Sequence, residues 1–221
     1  CETECRRKEV DKPLAICQLK RFAADSVDWA TLAVPTIEVK PESEKVAIIG
    51  AGPAGLSAAY FLALKGYHPT IFEKAPFAGG MLRFGIPDYR LPPAILEQEI
   101  NYIKRLGVDI QLGVGIGKDR PVGSLMNEGF KAVYLAAGAW KSRKMNIPGE
   151  DAEGVMHGID YLNLLNLKKP VKTGKNVVVV GGGDVAIDAA REALRQGAAE
   201  VKMVYPRSRD EMPAVKHEIQ S

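Results

Sequence analysis

A hydrophobic run at 46–49 leads directly into three glycines whose spacing suits a phosphate-rich ligand. Gly50, Gly52 and Gly55 form the pattern G-x-G-x-x-G: the first permits a tight turn, the second lets the backbone approach a pyrophosphate, and the third lets a helix pack on a strand. The helix dipole and free N–H groups would favour the anion there. Glu73, 23 residues beyond Gly50, can accept hydrogen bonds from both hydroxyls of an adenosine ribose. The combination predicts a dinucleotide site; the alternative is that the glycines only allow tight packing.

A second glycine motif follows the apolar run 177–180. Gly181, Gly182 and Gly183 come first, and Ala186 takes the third position of the pattern, where alanine is an accepted variant. The repeat of strand, glycine turn and helix predicts a second dinucleotide site.

The two motifs differ at the end of the strand that follows each one. Where the first has Glu73, the second has Tyr205, and Arg207 and Arg209 come directly after it. A carboxylate would repel a 2′-phosphate, whereas guanidinium groups pair with it in a bidentate manner. We therefore expect NADP(H) rather than NAD(H) at the second site; the alternative is an ordinary solvated basic loop. One acidic and one basic ribose site predict two cofactors, and FAD plus NADP is the simplest pair.

Hydride transfer between a nicotinamide and a flavin needs no acid–base residue, because the protein supplies position and electrostatics. The sequence offers no convincing triad or pair of carboxylates, and we predict no catalytic residue. We expect His68, His157 and His217 to be surface residues rather than ligands or bases.

Strands and helices alternate from residue 45 onward, which implies right-handed crossovers and a mostly parallel sheet. The pattern predicts an α/β fold with two Rossmann-like units, an FAD unit and an inserted NADP unit, behind a short helical head that bears cysteines. The predicted strands are 46–49, 70–73, 108–112, 132–136, 177–180 and 201–205, and the predicted helices are 54–65, 93–106 and 185–196.

The composition shifts along the chain predict four segments. In the head, a helix is expected to start at Pro13 and to end near Asp25. The segments are a partial iron–sulfur-type head at 1–28, a linker at 29–44, a partial FAD-binding domain at 45–170 and a partial NAD(P)-binding domain at 171–221.

The composition also limits the classes of function. The 221 residues carry a formal charge of +3, and 46% are hydrophobic, which is typical of a globular protein. The basic residues are scattered, so we expect no nucleic-acid partner. The uncharged run 46–64 has the length of a membrane span, but its glycines and Pro53 favour a strand, turn and helix, so we expect no membrane partner either. Three cysteines, all before residue 18, do not resemble a disulfide framework, and a reducing cytoplasm is expected.

More specific blocks of sequence surround the two motifs. They are Cys1 to Cys5, 13–16, 73–74, 79–87, 90–92, 136–139, 147–151, 181–188 and 207–213. On these residues the chain resembles the small (beta) subunit of NADPH-dependent glutamate synthase and its relatives. These include the amino-terminal part of dihydropyrimidine dehydrogenase and the large subunit of NADH-dependent ferredoxin:NADP oxidoreductase. The match runs in order over essentially the whole chain.

The resemblance, together with the first motif, implies an FAD site in which the turn at Gly79 and Gly80 closes over the cofactor. From the residues alone, adjacent glycines permit close backbone approach to a ligand, and the alternative is a plain turn. The expected FAD contacts are Gly50, Ala51, Gly52, Pro53, Ala54, Gly55, Glu73, Lys74, Gly79, Gly80, Met81, Arg90, Ile116 and Gly138. The expected NADP contacts are Gly181, Gly182, Gly183, Asp184, Val185, Arg207 and Arg209.

Cys1 and Cys5 resemble the last two cysteines of the family's iron–sulfur region and are the expected metal ligands. Such clusters usually need four ligands, and the chain carries no cysteines upstream, so a 4Fe–4S cluster is expected only in the intact protein. Some relatives place a Glu or Gln ligand near Lys20, where this chain has a cation. Cys17 is expected to be a small buried residue of the helix.

The resemblance implies a flavin-dependent oxidoreductase that passes electrons from NADPH to FAD, and through iron–sulfur centres to a partner subunit. The partner could be a glutamate synthase large subunit or a ferredoxin-linked subunit. One alternative is a non-catalytic assembly subunit that keeps FAD for stability. A disulfide reductase is a further alternative, but it needs a redox C-x-x-C, and 46–221 contains no cysteine. Relatives continue beyond the NADP unit, so we expect the carboxyl end to be truncated.

Overall fold

The computed structural model describes residues 2–39, 44–117 and 120–220. Internal contacts divide the chain into two compact units, Cys1–Thr36 and Ile37–Ser221. Each unit is described by itself below.

The small unit contains a 3-10 turn at Arg6–Glu9 and helix α1 at Ile16–Asp25. The predicted end of this helix is confirmed, but the helix begins three residues later than expected. No residue of α1 is buried, and Leu19 and Phe22 are exposed. Cys17 is also exposed, so the expectation that it is a buried residue was wrong: α1 has no core to bury it in.

The large unit contains two parallel sheets, as predicted. Strands β1 to β4 pair in the order β3-β2-β1-β4, and β5 pairs with β6. The strands are β1 Lys45–Ile49, β2 His68–Glu73, β3 Asp109–Leu112, β4 Phe130–Leu135, β5 Asn176–Val180 and β6 Glu200–Val204. All six predicted strands are present, with ends displaced by at most two residues.

The three long helices of the large unit were predicted, and four shorter ones were not. The helices are α2 Pro53–Leu64, α3 Met81–Phe84, α4 Pro93–Arg105, α5 Val122–Asn127, α6 Gly158–Asn166, α7 Asp184–Arg195 and α8 Lys216–Gln220. A 3-10 turn at Arg209–Glu211 precedes α8. The missed helices span between four and nine residues, too short for an amphipathic period to be read from sequence.

The core of the large unit lies around β1, an inner strand that pairs with β2 and β4. Ala47 and Ile48 of β1 are fully buried. On one side Ala47 packs with Phe72, Leu125 and Phe130, which come from β2, α5 and β4. Leu56 and Ala59 of α2 are also buried. The strand that leads into the first glycine turn is therefore held by β2 and β4 on its two sides and by the helices that pack on the sheet.

In the described part of the chain, no helix combines the length and the apolar character that crossing a lipid bilayer requires. The uncharged run 46–64 is divided by a turn into β1 and α2, as expected.

Candidate dinucleotide sites

A cleft of about 430 Å³ opens at the carboxyl ends of β1, β2 and β4. This is the edge where ligands bind in open α/β sheets. Ten of the expected FAD contacts line it, namely Gly50, Gly52, Pro53, Ala54, Glu73, Lys74, Gly80, Met81, Ile116 and Gly138. The structure therefore brings together residues that lie up to 88 positions apart in the sequence.

The three glycines of the first motif differ in what a side chain would meet. A Cβ on Gly50 would lie 2.4 Å from the carbonyl oxygen of Ala136, and one on Gly55 would lie 1.9 Å from the carbonyl oxygen of Gly50. These two positions are needed by packing. A Cβ on Gly52 would meet only the Cα of Gly80, at 3.8 Å, among the described atoms. Packing alone does not explain glycine at position 52, whereas close approach of a pyrophosphate does.

The turn at Gly79 and Gly80 closes one side of the cleft. Both residues have positive φ, +124° and +56°, which favours glycine. A Cβ on Gly80 would lie 2.6 Å from the Cα of Gly52, and the N–H of Gly79 donates to the carbonyl of Ala51 at 2.8 Å. The turn is therefore built against the first glycine loop, which a plain surface turn would not require.

Glu73 is 5% exposed, and backbone groups hold its carboxylate in place. Oε2 accepts a hydrogen bond from the N–H of Ala51 at 2.8 Å, and Oε1 accepts one from the N–H of Ala75 at 2.8 Å. An ionised carboxylate has about four lone-pair positions. Each oxygen thus keeps capacity for a further donor, such as a ribose hydroxyl in the cleft that Glu73 lines.

Trp140 also lines the cleft, and sequence reasoning passed over it. Its Nε1–H donates to the carbonyl of Ala137 at 3.0 Å, and its ring lies 5.7 Å from the ring of Phe84. The Lys74 ammonium lies 5.7 Å from the Trp140 ring centre. The one available signal was a tryptophan two residues after Gly138, at the end of a strand that returns to the site.

Four expected FAD contacts do not line the cleft: Ala51, Gly55, Gly79 and Arg90. The first three act through backbone contacts or close packing, as described above. The guanidinium of Arg90 instead pairs with Asp188 and Glu218. Its assignment to FAD stays a prediction.

The second motif forms a similar turn between β5 and α7. The N–H of Gly181, which has a φ of +146°, donates to the carbonyl of Val204 at 2.9 Å. A Cβ on Gly182 would lie 2.7 Å from the Tyr205 ring, whereas one on Gly183 would meet no described atom within 4 Å. Gly183 is thus the open position here, as Gly52 is in the first motif. Next to it, Asp184 accepts a hydrogen bond from the N–H of Val215 at 3.0 Å.

The basic residues after β6 are exposed. Within the described ranges, Arg207 makes no hydrogen bond or ion pair, whereas Arg209 donates to the carbonyl oxygen of Ile219. Ser208 and Glu211 fix the segment by a capping box, and the hydrogen bonds from the Ser208 hydroxyl and N–H lower the pKa of Glu211. The backbone that carries Arg207 is therefore held while its side chain is available.

The predicted metal ligands are only partly described. Cys1 lies outside the described residues, and no group of three or more possible ligand side chains occurs within them. The N–H of Leu14 points at the sulfur of Cys5, at 3.5 Å, and the pKa of Cys5 is lowered, mainly by backbone hydrogen bonds from Leu14 and Arg7. This favours a thiolate, the form that binds iron. Its role as a metal ligand stays a prediction.

Two glycine turns at the carboxyl ends of parallel strands, each opening an α-helix, define a protein with two dinucleotide folds. The chain belongs to the family described as pyridine nucleotide-disulphide oxidoreductase, whose model matches residues 44–221. That region contains no cysteine, as noted above.

The resemblance seen in the sequence is confirmed by the relatives. The chain is 49% identical, over 97% of its length, to the NADPH-Fe(3+) oxidoreductase subunit beta of Geobacter sulfurreducens, and covers 32% of that protein. It is 37% identical, over 99% of its length, to the glutamate synthase [NADPH] small chain of Halomonas elongata, and covers 48% of it. The chain therefore spans about a third to a half of the length of these curated relatives.

Solved structures support the same fold. The chain is similar to Mycobacterium tuberculosis FprA in complex with NADPH, with a TM-score of 0.69 and 25% identity. The match covers 81% of this chain and 47% of that one. The predicted α/β architecture with two dinucleotide units is confirmed.

Proposed function

We propose that the chain is the FAD- and NADPH-binding part of an oxidoreductase that delivers electrons to a partner subunit. The observation that carries the proposal is the cleft beside Gly52 and Glu73. It combines an open glycine at a helix N-terminus with a buried carboxylate whose two oxygens are already aimed by backbone N–H groups. A phosphate-rich ligand with a ribose diol matches both features.

FAD fits this cleft. The loop at Gly50 and Gly52 would hold the pyrophosphate, Glu73 would accept the ribose hydroxyls, and the Gly79 and Gly80 turn would close over the ligand. Lys74, Met81, Ile116, Gly138 and Trp140 would complete the walls. When bound, a flavin can accept a hydride and release electrons one at a time. The residues of this chain bind and orient it.

NADPH fits the second glycine turn. The open position at Gly183 and the N-terminus of α7, with Asp184 and Val185, would receive the pyrophosphate. The exposed guanidinium of Arg207 would pair with the 2′-phosphate, with Arg209 beside it. A relative named for NADPH and a neighbour solved with NADPH support this choice over NADH.

The rest of the proposal concerns the intact protein. Relatives of this chain are subunits of larger oxidoreductases, which supports a partner subunit as electron acceptor, such as a glutamate synthase large subunit or a ferredoxin-linked subunit. Cys1 and Cys5 would contribute to a 4Fe–4S cluster on that route. A cytoplasmic location is part of the proposal, because cysteines that do not resemble a disulfide framework favour a reducing compartment.

An anaerobic absorbance titration of the purified, FAD-loaded chain tests the proposal. We expect the flavin bands to be bleached by NADPH at lower concentrations than by NADH. Flavin bands that are present but indifferent to both nucleotides would favour the non-catalytic assembly subunit. A chain that retains no FAD after gel filtration would contradict the proposal altogether.

A further inference from the structure

A group of charged and polar side chains joins the first dinucleotide unit to the second. We call Tyr89, Arg90, Asp188, Arg191 and Glu218 the junction network. The Arg90 Nε–H donates to Asp188 Oδ1 at 2.6 Å, and the Tyr89 hydroxyl donates to the same oxygen at 2.8 Å. Arg90 Nη1 donates to Glu218 Oε1 at 2.6 Å, and Arg191 pairs with the other oxygen of Glu218. Asp188 and Glu218 lie 98 and 128 residues after Arg90 in the sequence.

The network is shielded from solvent. The side chains of Asp188 and Glu218 are 8% and 11% exposed, and that of Arg90 is 24% exposed. Burial alone would lower the pKa of Arg90, but the hydrogen bond and charge of Asp188, with the charge of Glu218, raise it overall. Arg195 adds a cation–π contact, with its guanidinium 4.4 Å from the Tyr89 ring centre.

Stability alone is a poor explanation of this arrangement. Burying charges has a desolvation cost that a salt bridge often only balances, so apolar residues of similar size serve stability as well. Here the pairing is also incomplete, because Arg90 Nη2 is buried without a partner among the described residues. What such groups can provide is a single defined arrangement of the elements that carry them.

The network connects elements of the two dinucleotide sites. The segment with Tyr89 and Arg90 follows α3, which begins directly after the Gly80 turn of the first cleft. Asp188 lies on α7, whose first residue follows Gly183 of the second glycine turn. The network therefore ties the segment that follows one wall of the first dinucleotide site to the helix that begins at the second. Beside it, Asn166 of α6 donates to the carbonyl of Ile86 at 3.0 Å.

We propose that the junction network is a positioning device that holds the second dinucleotide unit at the orientation in which a nicotinamide bound there meets the flavin. Asp188 is its central residue, because it accepts from both Tyr89 and Arg90. The identity of the two ligands in this inference rests on the proposed function. The role of the network in orienting the second dinucleotide unit does not.

The test uses Asp188→Asn, which keeps the shape and removes the charge, and Tyr89→Phe, which removes one hydroxyl and keeps the ring on Arg195. The matched control is Glu97→Gln, because Glu97 pairs with Arg83 within the first unit. Three quantities are measured in the FAD-loaded chain. They are the FAD dissociation constant, the rate of flavin bleaching at saturating NADPH, and amide hydrogen exchange at 86–92 and in α7.

We expect Asp188→Asn to slow bleaching by NADPH about tenfold or more, since small misplacements of reacting groups cost up to about 100-fold. Tyr89→Phe should slow it less. Bleaching by dithionite, the FAD dissociation constant and the half-saturating NADPH concentration should stay within about twofold of the parent. Exchange at 86–92 and in α7 should become faster in Asp188→Asn, but not in Glu97→Gln.

The proposal is overturned if Asp188→Asn leaves both the bleaching rate and the exchange as in the parent. It is also overturned if Asp188→Asn weakens FAD binding in proportion to the rate, because the network would then act only through general stability. If NADPH does not bleach the parent's flavin at all, the proposed function fails. In that case, amide hydrogen exchange in Asp188→Asn, compared with the parent and with Glu97→Gln, decides whether the network positions the second unit.

Discussion

The two dinucleotide units share a strand, a glycine turn and a helix, yet the protein encloses them to different degrees. In the first unit β1 has neighbours on both sides, and Ala47 and Ile48 are fully buried. In the second, β5 pairs only with β6 within the described chain, and Val178 and Val180 are 62% and 55% exposed. The sheet of the first unit therefore has its own core, whereas the sheet of the second is largely exposed and the buried residues of that unit lie mainly on α7.

The third position of the motif shows the same difference at atomic scale. In the first unit Gly55 lies so close to the Gly50 carbonyl that a Cβ would overlap it. In the second unit Ala186 occupies this position, and the loop accommodates its Cβ. That atom lies 3.1 Å from the point where a Cβ on Gly181 would stand. The first loop is therefore the tighter one at this position.

Gly55→Ala is expected to have the largest effect of the substitutions considered. Its Cβ would lie 1.9 Å from a backbone oxygen that cannot move aside, so α2 must shift away from β1. We expect a loss of about 4 kcal/mol or more in the free energy of unfolding, as for severe core overpacking, measured by urea denaturation. The matched variant Ala186→Gly should cost only about 1 kcal/mol, the helical penalty of glycine. Equal losses in the two variants would refute the difference between the loops.

Glu73→Ala should weaken FAD retention strongly. The substitution removes the ribose acceptor and leaves the N–H groups of Ala51 and Ala75 without their partner. Hydrogen bonds to charged groups contribute about 1.5–3 kcal/mol, so we expect the FAD dissociation constant to rise at least about tenfold in equilibrium dialysis. Glu99→Ala on the exposed face of α4 is the control and should bind FAD as the parent does. Unchanged flavin content in purified Glu73→Ala would remove Glu73 from the site.

Arg207→Ala tests the second site and should have a smaller effect. Loss of one exposed guanidinium should raise the NADPH dissociation constant about tenfold, the value of one charge-assisted pair, and leave that for NADH unchanged. Lys202→Ala, on β6 and paired with Glu200, is the control for general loss of positive charge. If Arg207→Ala weakened NADPH and NADH equally, Arg207 would not read the 2′-phosphate.

The sequence predicted the strands, the long helices and the part of the cleft around the first motif and Glu73 because these features are local. The hydrophobic run, the glycine spacing and Glu73 all lie within one strand–helix–strand unit, whose geometry the chain order fixes. Short helices such as α3 and α6 were missed because tertiary contacts, not an amphipathic period, define them. Trp140 was missed for a related reason, since only the return of β4 beside β1 places it in the cleft.

Arg90 shows a contact that neither the motifs nor the resemblance could predict. The resemblance implies that Arg90 contacts FAD, which stays a prediction, but it says nothing of the ion pairs that Arg90 makes. Its partners Asp188 and Glu218 lie more than 90 residues away, and no sequence pattern near Arg90 indicates them. Long-range charge pairs of this kind are set by how the two units pack, which no pattern within either unit encodes.

The smallest expected effect is on the pH dependence of stability and concerns the junction between the units. Burial raises the pKa of Tyr89 above its ordinary 10.0, and the hydrogen bond and charge of Asp188 raise it further. The folded state therefore keeps the phenol proton more tightly than the unfolded state. The resulting stability is fully present below about pH 10 and is lost as the pH rises through the folded-state value. Tyr89→Phe should lose less stability on going to alkaline pH, measured by urea denaturation at several pH values.

Tyr161 provides the comparison for this effect. Burial also raises its pKa, but its hydroxyl lies 3.1 Å from Thr173, and that hydrogen bond opposes the shift. Tyr89→Phe and Tyr161→Phe should each reduce the loss in free energy of unfolding at alkaline pH. Adding Asp188→Asn to Tyr161→Phe should reduce that loss further, because Tyr89 is still present. Adding it to Tyr89→Phe should change the loss little. This asymmetry follows from Asp188 acting on Tyr89 directly. An Asp188→Asn effect of equal size in both backgrounds would mean that the two units are not joined through the Tyr89 hydroxyl.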